Sequence, residues 1–141
     1  MFVSVTRLRL RGWWFFPLFF LDANRSVSQA AKSAGFVSGQ TLLDKKLTFW
    51  TLTLWESDGA MRAYRGSGVH GKAMPNLARW CSEAQTAHYT TESAALPAWG
   101  EAHAQLVAHG RSSKVNHPSG TESMAAIPVP ASDAWRVRRI A

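Results

Sequence analysis

Two histidines in this sequence sit where they could do chemistry. His88 lies in AQTAHYTTE (84–92), a stretch whose composition predicts a strand. An imidazole held there titrates near neutrality and can take a proton from a bound molecule as a general base, with Thr51 and Thr53 as its expected neighbours across the sheet. His70 precedes Met74 by four residues in a helical segment, which puts the two on one helix face. His103, His109 and His117 are spread over the last helix and the tail. His103 and His109 are six apart, not the three or four that bring metal ligands together, so all three read as surface residues. Glu56 has no obvious carboxylate partner, and Asp58 reads as helix-start charge. The single Cys81 excludes an intrachain disulfide or a thiolate metal cluster and reads as an inert core thiol. No G-x-S-x-G, HExxH, P-loop or dinucleotide fingerprint is present, so hydrolase and kinase readings fall away.

These residues need a frame. Phe2 to Leu10 alternates as a strand, and Gly12 breaks it. From Pro17 to about Ser33 the apolar positions recur at helical spacing, and Gly35 stops that helix. Phe36 to Leu43 forms a second strand, and Asp44-Lys45-Lys46 a turn into the strongest strand, Leu47 to Trp55 (LTFWTLTLW). One face of that strand, Trp50, Leu52 and Leu54, is wholly apolar and is expected under helices. The other, Phe49, Thr51, Thr53 and Trp55, mixes aromatics with hydroxyls and suits a cavity or a partner sheet. Ser57 can cap a helix over Asp58 to Arg65. Gly66-Ser67-Gly68 interrupts it, and a segment from Val69 to Trp80 follows, bent or divided at Pro75. Ala84 to Glu92 supplies the fourth strand, and Leu96 to His109 a last helix closed by Gly110. The order is β-α-β-β-α-β, an α+β ferredoxin-like domain over residues 1–110 with an antiparallel sheet and helices on one face. A second copy is the simplest cover for the other face, giving a dimeric α+β barrel. Residues 111–141 read as a basic, flexible Ser/Pro/Gly-rich tail.

The 141 residues suffice for one domain with its own core, and seven Trp and seven Phe make that core unusually aromatic. The net charge of +7 includes a surplus of three in the tail, and Arg7, Arg9 and Arg11 form a second basic cluster. Such charge attracts polyanions without specificity, so no specific nucleic acid is expected. The run Trp13 to Leu21 is a poor secretory signal, because Pro17 interrupts it and Asp22, Asn24 and Arg25 stand where a cleavage site would be. It is also too short to span a bilayer. Four adjacent aromatics, Trp13 to Phe16, cannot all be buried on one side of a helix. Burial at the dimer interface is the preferred reading, and membrane-surface contact through residues 7–21 the alternative. A cytoplasmic location is expected.

The stretch from Phe49 to Tyr89 resembles the antibiotic-biosynthesis-monooxygenase-like branch of the dimeric α+β barrels, and looks closest to the spheroidene monooxygenase branch. Trp55, Met61, Gly66, Gly68, His70 and Ala73 carry the likeness. It implies a homodimer with an apolar pocket between sheet and helix, and oxygenation of apolar molecules with haem or with no cofactor. The haem-degrading members carry Asn, Trp and His where this chain has Thr6, Tyr64 and Met74, so that reaction is not implied. His70 is the residue through which haem could bind. The expected site is His70, Tyr64 and His88 as catalytic candidates, with Phe49, Thr51, Thr53, Trp55 and Met74 lining the pocket. The expected function is a monooxygenase-like protein oxygenating or binding a small apolar molecule. The alternative is a noncatalytic ligand-binding or structural dimer of the same fold.

Overall fold

A computed structural model describes residues 1–44, 47–118, 127–130 and 137–140; the side chains of Val69, His70, Ala73, Met74, Val137 and Arg138 lie outside the description. The chain runs β1 (Phe2–Leu10), a 3₁₀ turn (Trp13–Phe15), α1 (Phe16–Ala31), β2 (Phe36–Asp44), β3 (Thr48–Trp55), α2 (Asp58–Arg65), α3 (Gly68–Trp80), β4 (Cys81–Thr90), α4 (Trp99–His109), β5 (Arg111–Ser112) and β6 (Val137–Ile140). All strand pairs are antiparallel, in the order β5-β4-β1-β3-β2-β6. The inner four strands, β4-β1-β3-β2, are the ferredoxin-like core, so the α+β class and its antiparallel sheet stand.

Local sequence explains most boundaries. Ser57 accepts the Ala60 N–H at 3.1 Å, and Arg62 Nε donates to Asp58 at 2.8 Å one turn on, which fixes the start of α2. At the break before α3, Gln29 of α1 donates to the Ser67 carbonyl at 2.8 Å and ties the turn down. α3 is a single helical span that includes Pro75, not two. Leu47 adopts φ 55° and belongs to the β2–β3 turn, so β3 begins one residue later than its composition predicts. Gly35 closes the α1–β2 connection at φ +82°, and a Cβ there would meet the Ala60 Cβ at 2.5 Å. Gly35→Ala is therefore expected to cost about 1–3 kcal/mol, read as a lowered urea midpoint at unchanged m.

Two sequence expectations are corrected. Helices do not lie on one face only: α1, α2 and α3 cover the aromatic and hydroxyl face, whereas α4 covers the apolar one. Ala102 and Leu106 of α4 are buried against Val3, Val5, Trp50, Leu52 and Leu54, and Ile127 joins them. The mixed face of β3 is thus roofed by the chain's own helices, because Trp55 packs with Ala30 and Met61, and Phe49 packs edge-on against Phe19 at 5.4 Å. Beyond Gly110, where a loose tail is expected, Arg111–Ser112 and Val137–Ile140 form the edge strands and Ile127 lies in the core, while residues 119–126, 131–136 and 141 lie outside the description. His103 is accordingly not a surface residue, since its Nε2–H donates to the Ile127 carbonyl at 2.7 Å.

The apolar face holds one charged cluster. Arg7 and Glu83, 5% and 6% exposed, pair at 2.8 Å; Arg7 also donates to Gln85 at 3.0 Å, and Arg9 reaches the second Glu83 oxygen at 2.9 Å. The Arg7 guanidinium lies 5.8 Å from the Trp50 ring centroid, over the ring. One carboxylate thereby answers two arginines at the β1–β4 junction, where Arg9 pairs with Glu83 in register.

Candidate functional site

A cavity of about 290 Å³ lies between the mixed face of the sheet and α1–α3. Its floor follows from strand register. Thr41, Thr51, Thr6 and Thr86 are successive partners on β2, β3, β1 and β4, so four threonines cross the sheet in one row. The next row reads Gly39, Thr53, Ser4 and His88. Paired residues point to the same face, so both rows look toward the helices. Thr6, Thr51, Thr86, Ser4, Thr53 and His88 all line the cavity. The roof is mostly apolar: Phe19, Ala23, Val27 and Ala30 from α1, Met61 and Tyr64 from α2, and Leu77 and Trp80 from α3.

Some floor hydroxyls are already engaged. Trp55 Nε1 donates to Thr53 Oγ1 at 2.9 Å, and Thr53 in turn donates to the Ser4 carbonyl at 3.4 Å. Thr86 donates to the Val5 carbonyl at 3.2 Å and stands 3.5 Å from the Thr6 hydroxyl. Thr6 and Thr86 keep acceptor capacity for a bound molecule, since each hydroxyl oxygen offers two lone pairs. The surface is one that seats an apolar ring system and reads its oxygen substituents from below.

The structure brings together Phe49, Thr51, Thr53, Trp55, Tyr64 and His88, all in the cavity wall. Tyr64 bridges the roof: its hydroxyl donates to the Ser26 carbonyl of α1 at 3.0 Å, and its ring lies 5.2 Å from that of Trp55. Burial raises its pKa, so the phenol stays protonated and holds α2 to α1. His70 and Met74 lie on α3, and their side chains fall outside the described residues. The neighbours of His88 differ from expectation. β1 runs between β3 and β4, so His88 faces Ser4, and Thr53 is a further strand away, on the order of 10 Å from β4. Ser4, Thr6 and Thr86 complete the floor and were not among the expected site residues. The alternation of β1 puts Ser4 and Thr6 on one face, but only strand order makes that face the centre of the floor.

His88 packs against Phe2, ring centroids 5.7 Å apart. Burial first, then the Arg65 guanidinium, lower its pKa below the usual 6.5, with Asp58 opposing and Arg111 and Arg62 adding to the effect. The imidazole is therefore neutral at pH 7 and can accept a proton. The folded protein binds that proton less readily than the unfolded chain does. The stability His88 contributes is whole above pH 6.5 and is lost as the pH falls below that value and through the folded pKa. His88→Gln is expected to flatten this decline, as measured by urea melts between pH 7.5 and about 5.

Cys81 is buried, and burial pushes its thiol up to about 12, which suits a core thiol and no nucleophile. Among the described residues no group of three or more His, Cys, Asp or Glu side chains is placed to hold a metal ion. Nor is any helix among them long and apolar enough to cross a membrane.

Fold and cavity together define a class: a ferredoxin-like sheet with a ligand-sized chamber under the helices of one face. Solved structures, among them antibiotic biosynthesis monooxygenase-like proteins, share the fold. A putative antibiotic biosynthesis monooxygenase from Nitrosomonas europaea superposes with a TM-score of 0.57 at 12% identity, over 66% of this chain and 100% of that one. SnoaB, a cofactor-independent oxygenase from Streptomyces nogalater, gives 0.52 at 22% identity over 65% and 93%. A conserved protein from Methanosarcina mazei gives 0.58 at 13% over 64% and 92%. No protein-family model matches the sequence, and no curated protein matches it. At these identities the likeness is one of fold: the chain has the α+β architecture of the antibiotic biosynthesis monooxygenase-like proteins.

Proposed function

We propose that the chain binds a small, largely apolar molecule bearing oxygen substituents in the cavity under α1–α3 and oxygenates it. The observation that carries this reading is a chamber of about 290 Å³ with a hydroxyl floor, an apolar roof and a neutral imidazole at one end of a floor row. The role assigned to His88 is to take a proton from a ligand hydroxyl or activated C–H. The electron-rich carbon then gives up electrons to dioxygen and bonds to it, and the peroxide recovers the proton from His88. Loss of water leaves a carbonyl at that carbon, the ligand itself being the reductant. The floor threonines hold the ligand oxygens, and the apolar side chains of the roof pack on the ligand's carbon skeleton. One solved structure of this fold belongs to a cofactor-independent oxygenase, which supports a route without a cofactor. Haem binding through His70 rests on the sequence resemblance.

The test is oxygen uptake by the purified protein with a panel of polycyclic phenols, alongside binding followed by ligand fluorescence. Uptake that disappears in His88→Ala while binding persists supports the oxygenase reading. Binding without uptake for every compound leaves a noncatalytic binding protein. Absence of binding removes the cavity as the site. A Soret band lost in His70→Ala would assign the chemistry to haem instead.

The reading includes a homodimer. It rests on the sequence resemblance; within the chain, α4 and Ile127 cover the apolar sheet face. A stable monomer in size-exclusion chromatography with light scattering would remove the dimer.

A further inference from the structure

We infer that the 3₁₀ turn and the outer face of α1 dock on an anionic membrane surface. Five large apolar side chains, Trp13, Trp14, Leu18, Phe20 and Leu21, are 73, 59, 56, 39 and 47% exposed within nine consecutive residues. An apolar group this dense on a surface marks an interaction site. Rings in the patch pack on one another: Trp13 and Trp14 meet edge-on at 6.0 Å, and Phe16 stacks on Phe20 at 5.4 Å.

The exposed charged residues among the first 43 are all basic. The Arg11 guanidinium lies 4.5 Å from the Phe15 ring centroid, and its Nε donates to the Arg79 carbonyl at 2.7 Å; both arginines are exposed. Arg25 and Lys32, both exposed, continue along α1. Asp22 is the only acidic residue among the first 43, and it is half-buried at the cavity wall. Tryptophans and leucines sunk at headgroup depth, with cations at lipid phosphates, are how an in-plane helix holds a bilayer surface.

A second copy fits this patch less well. A twofold contact would bring the arginines of both copies into one interface with only the half-buried Asp22 of each to answer them. Single-stranded nucleic acid would use the indoles and arginines but leave Leu18 and Leu21 without a role. The inference is independent of the reaction in the cavity, although the same helix serves both: α1 turns Phe19, Ala23 and Ala30 inward while Leu18, Leu21 and Arg25 face out.

The test is flotation of the full chain with vesicles of phosphatidylcholine alone and with about 30 mol % phosphatidylglycerol. The protein is expected to float with the anionic vesicles only, and raising the salt to about 0.5 M should release much of it. Trp13→Ser with Trp14→Ser, and separately Arg25→Glu with Lys32→Glu, are each expected to lower binding about tenfold or more. All four side chains are exposed, so unchanged circular dichroism and an unchanged urea midpoint would show the variants folded. No flotation of the wild type, or flotation untouched by either pair, overturns the inference. So does a dimer that dissociates in the tryptophan variant without any vesicle binding, or binding to poly(U) in place of vesicles.

Discussion

Glu83→Ala is expected to cost about 3–5 kcal/mol of stability, because it strands the buried Arg7 guanidinium without a counter-charge. The urea midpoint should fall sharply at unchanged m, or the chain should fail to accumulate folded. The informative companion is Arg7→Met with Glu83→Leu. Removing both charges leaves a volume that apolar side chains fill, and Arg7 sits among residues that are already apolar, so the double variant should recover most of the loss. If it is as unstable as Glu83→Ala, the cluster matters through Gln85 and Arg9 more than through charge balance. The measurement separates the cost of a stranded ion from the worth of the pair, which a single substitution cannot do.

The second large effect concerns the cavity. Thr6 stands in the middle of the floor, on the central strand between Thr51 and Thr86. Thr6→Phe would project a ring into the chamber and is expected to weaken binding of a polycyclic phenol such as 1-naphthol about a hundredfold, ~2.7 kcal/mol. Stability should change little, since the ring enters space that is already open. Thr6→Val keeps the shape and removes the hydroxyl; a loss of about tenfold, ~1.4 kcal/mol, would show that the floor reads oxygen. Equal binding by wild type and Thr6→Phe would move the ligand out of this cavity altogether. Calorimetric titration of the three proteins decides between these outcomes.

How much of this was legible before the fold was seen depends on the range of the interaction. β3 announced itself through residue type and alternation, and the cap at Ser57 through a single side chain next to the helix it opens. These are local properties. The start of β4 was hidden because Cys81 to Glu83 become strand-like only when Leu10 and Arg9 of β1 sit opposite and Arg7 and Arg9 pair with Glu83. Nothing near Glu83 in sequence signals a buried carboxylate. The edge strands are short and carry arginines, so their composition reads as loop, and pairing with β4 and β2 alone makes them strands. Alternation showed that β3 has two unlike faces without saying which helices cover which. The site divides in the same way. Phe49, Thr51, Thr53 and Trp55 were visible as one face of one strand, whereas Ser4, Thr6 and Thr86 join them only through the strand order.

The two floor rows amount to a ruler. Hydroxyls in one row recur at the separation of hydrogen-bonded strands, roughly 4.8 Å, and rows two residues apart along a strand are roughly 6.8 Å apart. These spacings are set by backbone hydrogen bonds and do not adjust to a guest as flexible side chains would. Selection among guests of similar size then turns on the distance between their oxygens. Compounds whose oxygens fall near those two intervals should outcompete isomers of the same formula whose oxygens do not.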